Sequence, residues 1–392
     1  MSTKSIDQRI DEQLNDFIAI REHLHAHPEL SFEEFKTAKF VSAKLTEFGI
    51  QHEVGVAGTG VIGIIKGKKP DSRIVALRAD MDALPILELN DSAYKSKNEG
   101  IMHACGHDVH TSCLLGAAKL LQESNDEWEG TIKLIFQPGE EKSPGGASLL
   151  IENGVLENPR PKAIFGLHVF PDLPYGQLGF KEGQYMASAD EIYITIKGKG
   201  GHAALPHQTI DPIVIAANLI MSLQTIISRK HNNVDSPSVL SFGKIEGGHA
   251  GNVIPSEVKL EGTLRCMDEI WRNEAQGLIR KHCVEIARAM GGDAEVYIPS
   301  GYPSLVNDPE STKRVRAIAE KIFGFDNVTT LEKRMAAEDF SFYTQQIPGC
   351  FFRIGTSYNN EFTYPVHNAR FDIYPKAIGV GVRMFYEIAT SF

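Results

Sequence analysis

The stretch Ile74-Val75-Ala76-Leu77-Arg78-Ala79-Asp80-Met81-Asp82 joins an apolar run to two aspartates. Its first half is a short β-branched and aliphatic run, which reads as a strand. The strand runs straight into two aspartates. Residues at i and i+2 of an extended chain project to one side, so Asp80 and Asp82 are expected to face one point. They can ligate a metal or orient a ligating histidine, or simply form a polar strand-to-loop turn. Beyond them comes His103-Ala104-Cys105-Gly106-His107-Asp108-Val109-His110. Imidazole, thiolate and carboxylate are the side chains that bind transition metals. Gly106 gives the backbone freedom to bend, so that Cys105 and His107 can face one point. Thr111 to Leu121 is small and apolar and reads as a helix. The cluster therefore sits where a loop feeds a helix N-terminus, a place that favours anionic ligands.

The pattern repeats outward from this unit. Val61 to Lys66 is a strand. Ile132 to Phe136 is another and ends in Gln137-Pro138-Gly139-Glu140-Glu141; Ala163 to Leu167 is a third and is expected to end at His168. Strands alternating with helices predict an α/β domain, a mostly parallel sheet with helices on both faces. In such sheets, sites form outside the carboxyl ends of the strands. Asp80, Asp82, Glu140, Glu141 and His168 are all expected just past such an end, which is the main reason to place them in a single site.

From about residue 183 the pattern changes. Strands over Glu191–Lys197, Val239–Ile245, Glu257–Arg265 and Ala294–Ile298 are interleaved with helices over Pro212–Ser228 and Glu269–Met290. This β-α-β-β-α-β order matches the ferredoxin-like split unit, an α+β domain inserted into the first. The expected division is 1–182 and 301–392 for the larger domain and 183–300 for the inserted one. At the N-terminus, Ile10, Leu14, Phe17, Ile18 and Leu24 recur at helical spacing. His23, His25 and His27 follow at the end of that helix, before Pro28, and read as capping or supporting groups rather than ligands. A second helix is expected over Phe35–Phe48. Later elements are helices over Asp308–Phe323 and Pro375–Ala389 and a strand over Phe351–Ile354.

The chain has 392 residues, 40 basic and 50 acidic, for a net charge of −10. No dense Lys/Arg cluster stands against that balance, so nucleic acid is not an expected partner. Cys105, Cys113, Cys266, Cys283 and Cys350 are odd in number and widely scattered, unlike a disulfide framework. Met1 to Phe17 lacks the apolar core of a signal peptide, and no uninterrupted apolar run approaches the roughly 20 residues of a membrane helix. These features lead us to expect a cytoplasmic protein with no membrane partner.

Cys105, His107, Glu141, His168 and His367, with Glu140 alongside, form one candidate ligand set. Five ligands exceed what one tetrahedral zinc needs; they suit two divalent ions about 3.5–4 Å apart. Glu140 and Glu141 are neighbours and point in different directions, so one can ligate while the other takes a proton, and spacing does not say which. A rival chemistry uses Cys105 as a nucleophile with a histidine as base, but leaves Glu140, Glu141 and His168 unexplained.

Taken together the motifs resemble the M20 metallopeptidases, and within them the amidohydrolase branch that includes hippurate hydrolases, auxin-conjugate hydrolases and N-acetyl amino acid deacetylases. The matching stretches are His25 to Leu30, Arg78 to Pro85, His103 to His110, Gln137 to Glu141, Gly166 to His168, Gly200 to Ala204, Gly251 to Pro255 and Glu338 to Phe340. The resemblance implies a two-metal catalytic domain with an inserted lid domain that pairs two subunits as a homodimer. It implies Cys105, His107, Glu141, His168 and His367 as metal ligands and Glu140 as general base. It implies that His202 stabilises the oxyanion, that Asn252 and Arg265 meet the polar end of the substrate, and that Asp82 supports the ligands. Without it, His202 reads as a turn residue, Arg265 as an ion-pair partner and Glu338-Asp339 as a helix N-terminal pair. Where the family often has proline two residues after the last histidine, this chain has His367-Asn368-Ala369, which is expected to loosen a turn. The implied activity is hydrolysis of the amide bond of small N-acyl amino acids by a metal-activated water. A dipeptidase of the same fold and a non-catalytic binding protein are the alternatives. Thiolate and imidazole point to zinc, nickel or cobalt, and the resemblance adds manganese.

Overall fold

The structure, a computed structural model, describes residues 4–392. Along the chain the elements are α1 (Ile6–Ala26), α2 (Phe35–Glu47), β1 (Gln51–Val56), β2 (Gly60–Lys66), β3 (Ile74–Asp80), α3 (His107–Glu123), β4 (Thr131–Gln137), α4 (Gly146–Glu152), β5 (Ala163–Pro174), β6 (Leu178–Phe180) and β7 (Gly183–Met186). There follow β8 (Asp190–Lys197), β9 (Gly201–His202), α5 (Pro212–Lys230), β10 (Ser238–Glu246), β11 (Val253–Ile254), β12 (Glu257–Cys266), α6 (Glu269–Ala289) and β13 (Asp293–Tyr297). The last are β14 (Leu305–Asn307), α7 (Pro309–Phe323), β15 (Val328–Thr330), α8 (Ser341–Thr344), β16 (Gly349–Ser357) and α9 (Ala377–Ser391).

The chain divides into two compact units. The first holds the residues up to Gly183, with Val306–Glu332 and Asp339–Phe392; the second holds Gln184–Leu305 and Lys333–Glu338. The short return of Lys333–Glu338 to the second unit carries no signal in the composition.

The first unit is built on a mixed, largely parallel sheet of order β1-β2-β4-β3-β5-β16-β6-β15. β3, β4 and β5 are almost entirely buried, as strands covered on both faces must be. Helices α1, α3 and α9 pack on one another. Ser5 caps α1 in a reciprocal box with Gln8, satisfying two N–H groups that the first turn leaves without partners. At the other end His27 takes the C-cap, its Nδ1 bonded to His23 O at 2.8 Å.

Register sets the level of the site. Asp80 pairs with Gln137 across β3 and β4, and Arg78 pairs with Gly166 across β3 and β5. His168, two residues beyond Gly166, is therefore level with Asp80. One expectation is corrected: β5 does not end at His168 but runs on to Pro174. The polar side chain does not stop the strand, because β16 still pairs with it, Arg353 opposite His168.

The second unit has the predicted split order. Its sheet runs β10-β12-β8-β13, and each pair is antiparallel. Along β8 buried and outward residues alternate, with Ile192, Ile194 and Ile196 inward. They meet Ile215, Leu219 and Leu223 of α5 and Ala275, Ile279 and Cys283 of α6 in a core of their own. By length and composition α5 could cross a membrane, but here one of its faces fills this core.

Candidate metal centre

Gly106 opens α3 with φ +85°, and a Cβ there would lie 2.6 Å from Val169 Cγ2. Only glycine takes this left-handed bend at that spacing without strain. The bend places Cys105 before the helix and His107 in its first turn. Cys105 Sγ lies 3.4 Å from His168 Nε2 on β5. Donor atoms of Cys105, His107 and His168 fall within 4.8 Å of one another, as do those of Cys105, Glu141 and His367, and those of His107, Glu140 and Glu141. The clusters share members, so the six residues form one continuous group. His367 closes it on the exposed side, its Nε2 3.1 Å from Glu141 Oε1, and its φ of +66° is a conformation that non-glycine residues hold only when their surroundings impose it. Its N–H donates to Ala104 O at 2.7 Å. The turn after it holds without the proline: Asn368 Oδ1 accepts from Arg370 N at 2.8 Å, and Leu89 N donates to Ala369 O at 2.8 Å.

Hydrogen bonds fix which ring nitrogens face inward. His107 Nδ1 donates to Asp82 Oδ1 at 3.0 Å, leaving Nε2 buried with no hydrogen-bond partner among the described residues. His168 Nδ1 donates to Val169 O at 2.8 Å and turns Nε2 toward Cys105. Ligating histidines are held in this way, one nitrogen anchored to a carboxylate or carbonyl and the other free for the metal. His110 differs: Nδ1 donates to Asp80 Oδ1 at 2.6 Å and Nε2 accepts from Val169 N at 3.0 Å. Both nitrogens are used, so His110 supports the group rather than ligating.

Electrostatics fit the same picture. Burial, then Glu141 and Glu140, push the Cys105 thiol well above its ordinary range. A cysteine nucleophile needs the opposite shift, so the rival chemistry loses its footing; a thiolate here needs a cation beside it. Burial opposes charge on His107, but Asp80, Asp82 and Glu141 outweigh it and raise the ring to about 10. Burial, with Arg353 and His110, keeps His168 neutral. A buried thiol, two carboxylates and two imidazoles whose Nε2 atoms face inward form a donor set that fits divalent metal, with His107 giving up its Nε2 proton to bind.

Three carboxylates hold the loop between β4 and α4 that carries Glu140 and Glu141. Asp82 Oδ2 accepts from Glu141 N at 3.0 Å. Asp339 accepts from Gln137 Nε2 at 2.7 Å and Ala147 N at 3.0 Å, at the loop's two ends, and from Arg78 Nη2 at 2.7 Å. Glu34 holds Gly139. Sequence reading missed Glu34, Arg21 and the reach of Asp339, since none has a local signal.

His202, Asn252 and Arg265 lie in the second unit. His202 and Asn252 come together: β9 pairs with β11, and Ala203 N donates to Asn252 O at 3.0 Å. His202 is exposed and its Nδ1 accepts from Ala204 N at 3.1 Å, so its Nε2 carries the hydrogen. Arg265 is half-buried on β12 and has no ion pair among the described residues. Nearby Asp190 is already engaged by both arms of Arg272, at 2.7 and 2.8 Å.

Comparison with known proteins gives the family. Residues 76–391 match the model of peptidase family M20/M25/M40. The chain is 45% identical to the N-acetyl-L-cysteine deacetylase of Bacillus subtilis, over 89% of this chain and 82% of that one. It is 41% identical to the IAA-amino acid hydrolase ILR1-like 4 of Arabidopsis thaliana, over 96% and 87%. The crystal structure of the Bacillus subtilis YXEP protein, a dinuclear metal binding peptidase from the M20 family, superposes with a TM-score of 0.84 at 37% identity, covering 97% of this chain and 98% of that one. The chain therefore belongs to peptidase family M20/M25/M40 and is a metal-dependent hydrolase of the amidohydrolase and peptidase type.

Proposed function

We propose that the protein hydrolyses the amide bond of N-acyl amino acids, giving a carboxylate and a free amino acid. The observation that carries this reading is the set of anchored imidazoles: His107 and His168 are locked with Nε2 facing Cys105 and Glu141, and Glu140 stands beside them. Two divalent ions held by Cys105, His107, Glu141, His168 and His367, zinc or manganese with nickel or cobalt as further candidates, would activate water and polarise the acyl carbonyl. Glu140 accepts the proton of the attacking water at its carboxylate and delivers it to the leaving nitrogen. Asp82 keeps His107 and Glu141 in register through one side chain. In this reading His202 Nε2–H donates to the developing oxyanion. Arg265, with no ion pair among the described residues, meets the substrate α-carboxylate with Asn252 beside it.

A homodimer formed through the second unit belongs to the same proposal, supported by the exposed Ile213, Val214 and Met221 of α5. So does a cytoplasmic location. The peptidase name of the structural relative keeps a dipeptidase as the second reading. A panel of N-acetyl, N-benzoyl, N-succinyl and N-indolylacetyl amino acids measured against dipeptides decides between them. We expect kcat/KM for at least one N-acyl amino acid to exceed every dipeptide by about tenfold or more; the reverse order makes the protein a dipeptidase.

A further inference from the structure

Glu34 stands at the N-terminus of α2 but does not cap it. The open N–H groups of Lys36 and Thr37 go instead to Glu29 Oε2, at 2.8 and 2.9 Å. The Glu34 side chain is fully buried and turned toward the metal centre's loop. Its Oε1 accepts from Phe32 N and from Gly139 N, both at 2.8 Å, and its Oε2 accepts from Thr59 Oγ1 at 2.6 Å. Gly139 directly precedes Glu140.

The same turn braces Gly139 a second way. Phe32 has φ +68°, and its ring lies so close to Gly139 that a Cβ there would be 2.3 Å from Cε1. A phenylalanine keeps that backbone only where its surroundings over-determine it. Ser31, one residue earlier, donates to Asp82 Oδ2 at 2.6 Å, and Asp82 Oδ2 in turn accepts from Glu141 N. One short turn thus supports Glu140 through Gly139 and Glu141 through Asp82, by separate routes.

We propose that Glu34 is a positioning residue that fixes the backbone at Gly139 and thereby sets where the Glu140 carboxylate sits. The proposal rests on the assignment of Glu140 as the base. The negative charge is not what matters. Glutamine offers the same two-acceptor oxygen to Phe32 and Gly139, and its amide can donate to the Thr59 hydroxyl, which accepts as well as donates. Alanine offers neither and leaves the buried Gly139 N–H without a partner.

The test uses the full-length, metal-loaded protein and one N-acyl amino acid substrate. Glu34→Ala, Glu34→Gln, Thr59→Val and Glu140→Gln are compared for kcat, KM, metal per chain and melting midpoint. Small misplacement of a catalytic group far from the mutated atom is costly, so Glu34→Ala is expected to lose about a hundredfold in kcat with KM within about twofold. Metal content stays at the wild-type value, because Asp82 still holds Glu141. Glu34→Gln is expected to return kcat to within about threefold of wild type, the conservative rescue a charge effect would not show. Normal kcat in Glu34→Ala, or a glutamine variant as impaired as alanine, overturns the proposal. If Glu34→Ala does not fold, Thr59→Val carries the test: a fall of about tenfold in kcat at constant KM and metal content is expected, and an unchanged kcat overturns the proposal. Full activity in Glu140→Gln would instead remove the base assignment beneath it, whatever the Glu34 variants do.

Discussion

Glu140→Gln lowers kcat by about 10²–10⁴-fold while leaving metal content and melting point unchanged. Glu140 and Glu141 are adjacent in the chain and share one cluster with His107, so sequence spacing could not divide their roles. Their surroundings differ. Glu141 Oε1 lies 3.1 Å from His367 Nε2 and 4.0 Å from His107 Nε2, between two candidate ligands, and makes no hydrogen bond of normal geometry among the described residues. That place suits the ligand role proposed for it. Glu140 is buried, and the Asp339 N–H reaches its Oε1 at 3.4 Å. A glutamine there keeps the shape and loses only the ability to take a proton. Metal analysis beside the kinetics checks the division: loss of metal in Glu140→Gln would exchange the roles of the two glutamates.

Arg21→Met destabilises the protein by about 3–5 kcal/mol, because it leaves the buried Asp108 and the partly buried Asp372 without their guanidinium partner. Arg21 Nε donates to Asp108 Oδ2 and Nη2 to Asp372 Oδ1, both at 2.8 Å, and the guanidinium lies 4.8 Å from the Tyr94 ring centre. His25 completes the group, with Nδ1 2.7 Å from Asp108 Oδ2 and Nε2 3.2 Å from Glu88 Oε1. Burial alone would raise the Asp108 carboxyl, but Arg21 and His25 hold it far below its ordinary 3.8. A carboxyl depressed in the folded state stabilises above its unfolded value and loses that contribution as pH falls through the folded one. The melting points of wild type and Arg21→Met are therefore expected to differ most near neutrality and to converge in acid. Equal melting points at neutral pH would show that the buried group adds no stability.

The parts of this architecture that were legible in the sequence are those with a local period. β3 declares itself by its aliphatic run, and the second unit by its split strand and helix order. The residues gathered around Cys105 were legible because strand ends in such sheets converge. What could not be read has physical causes. β1 is a polar edge strand with no buried face, so no alternation marks it. His168 looked like a strand terminus because polar residues usually interrupt a buried strand; here a bond to its neighbour's carbonyl and a place facing Cys105 satisfy it. Glu34 sits in a Glu33-Glu34 pair that reads as exposed helix-leading charge, and only the fold brings Gly139 to it. Arg21 and Asp108 are likewise joined across 87 positions. The pairing of β9 with β11, which joins His202 to Asn252, spans a helix and a strand and has no sequence period.

The clustered cysteine, histidines and glutamates are proposed to work as a metal centre in amide hydrolysis. The most direct test is metal content per chain, measured together with hydrolysis of the N-acyl amino acid panel before chelation, after it and after metal is restored. About two metals per chain are expected, with activity lost on chelation and recovered with zinc or manganese. Turnover that survives complete removal of metal would contradict the proposal.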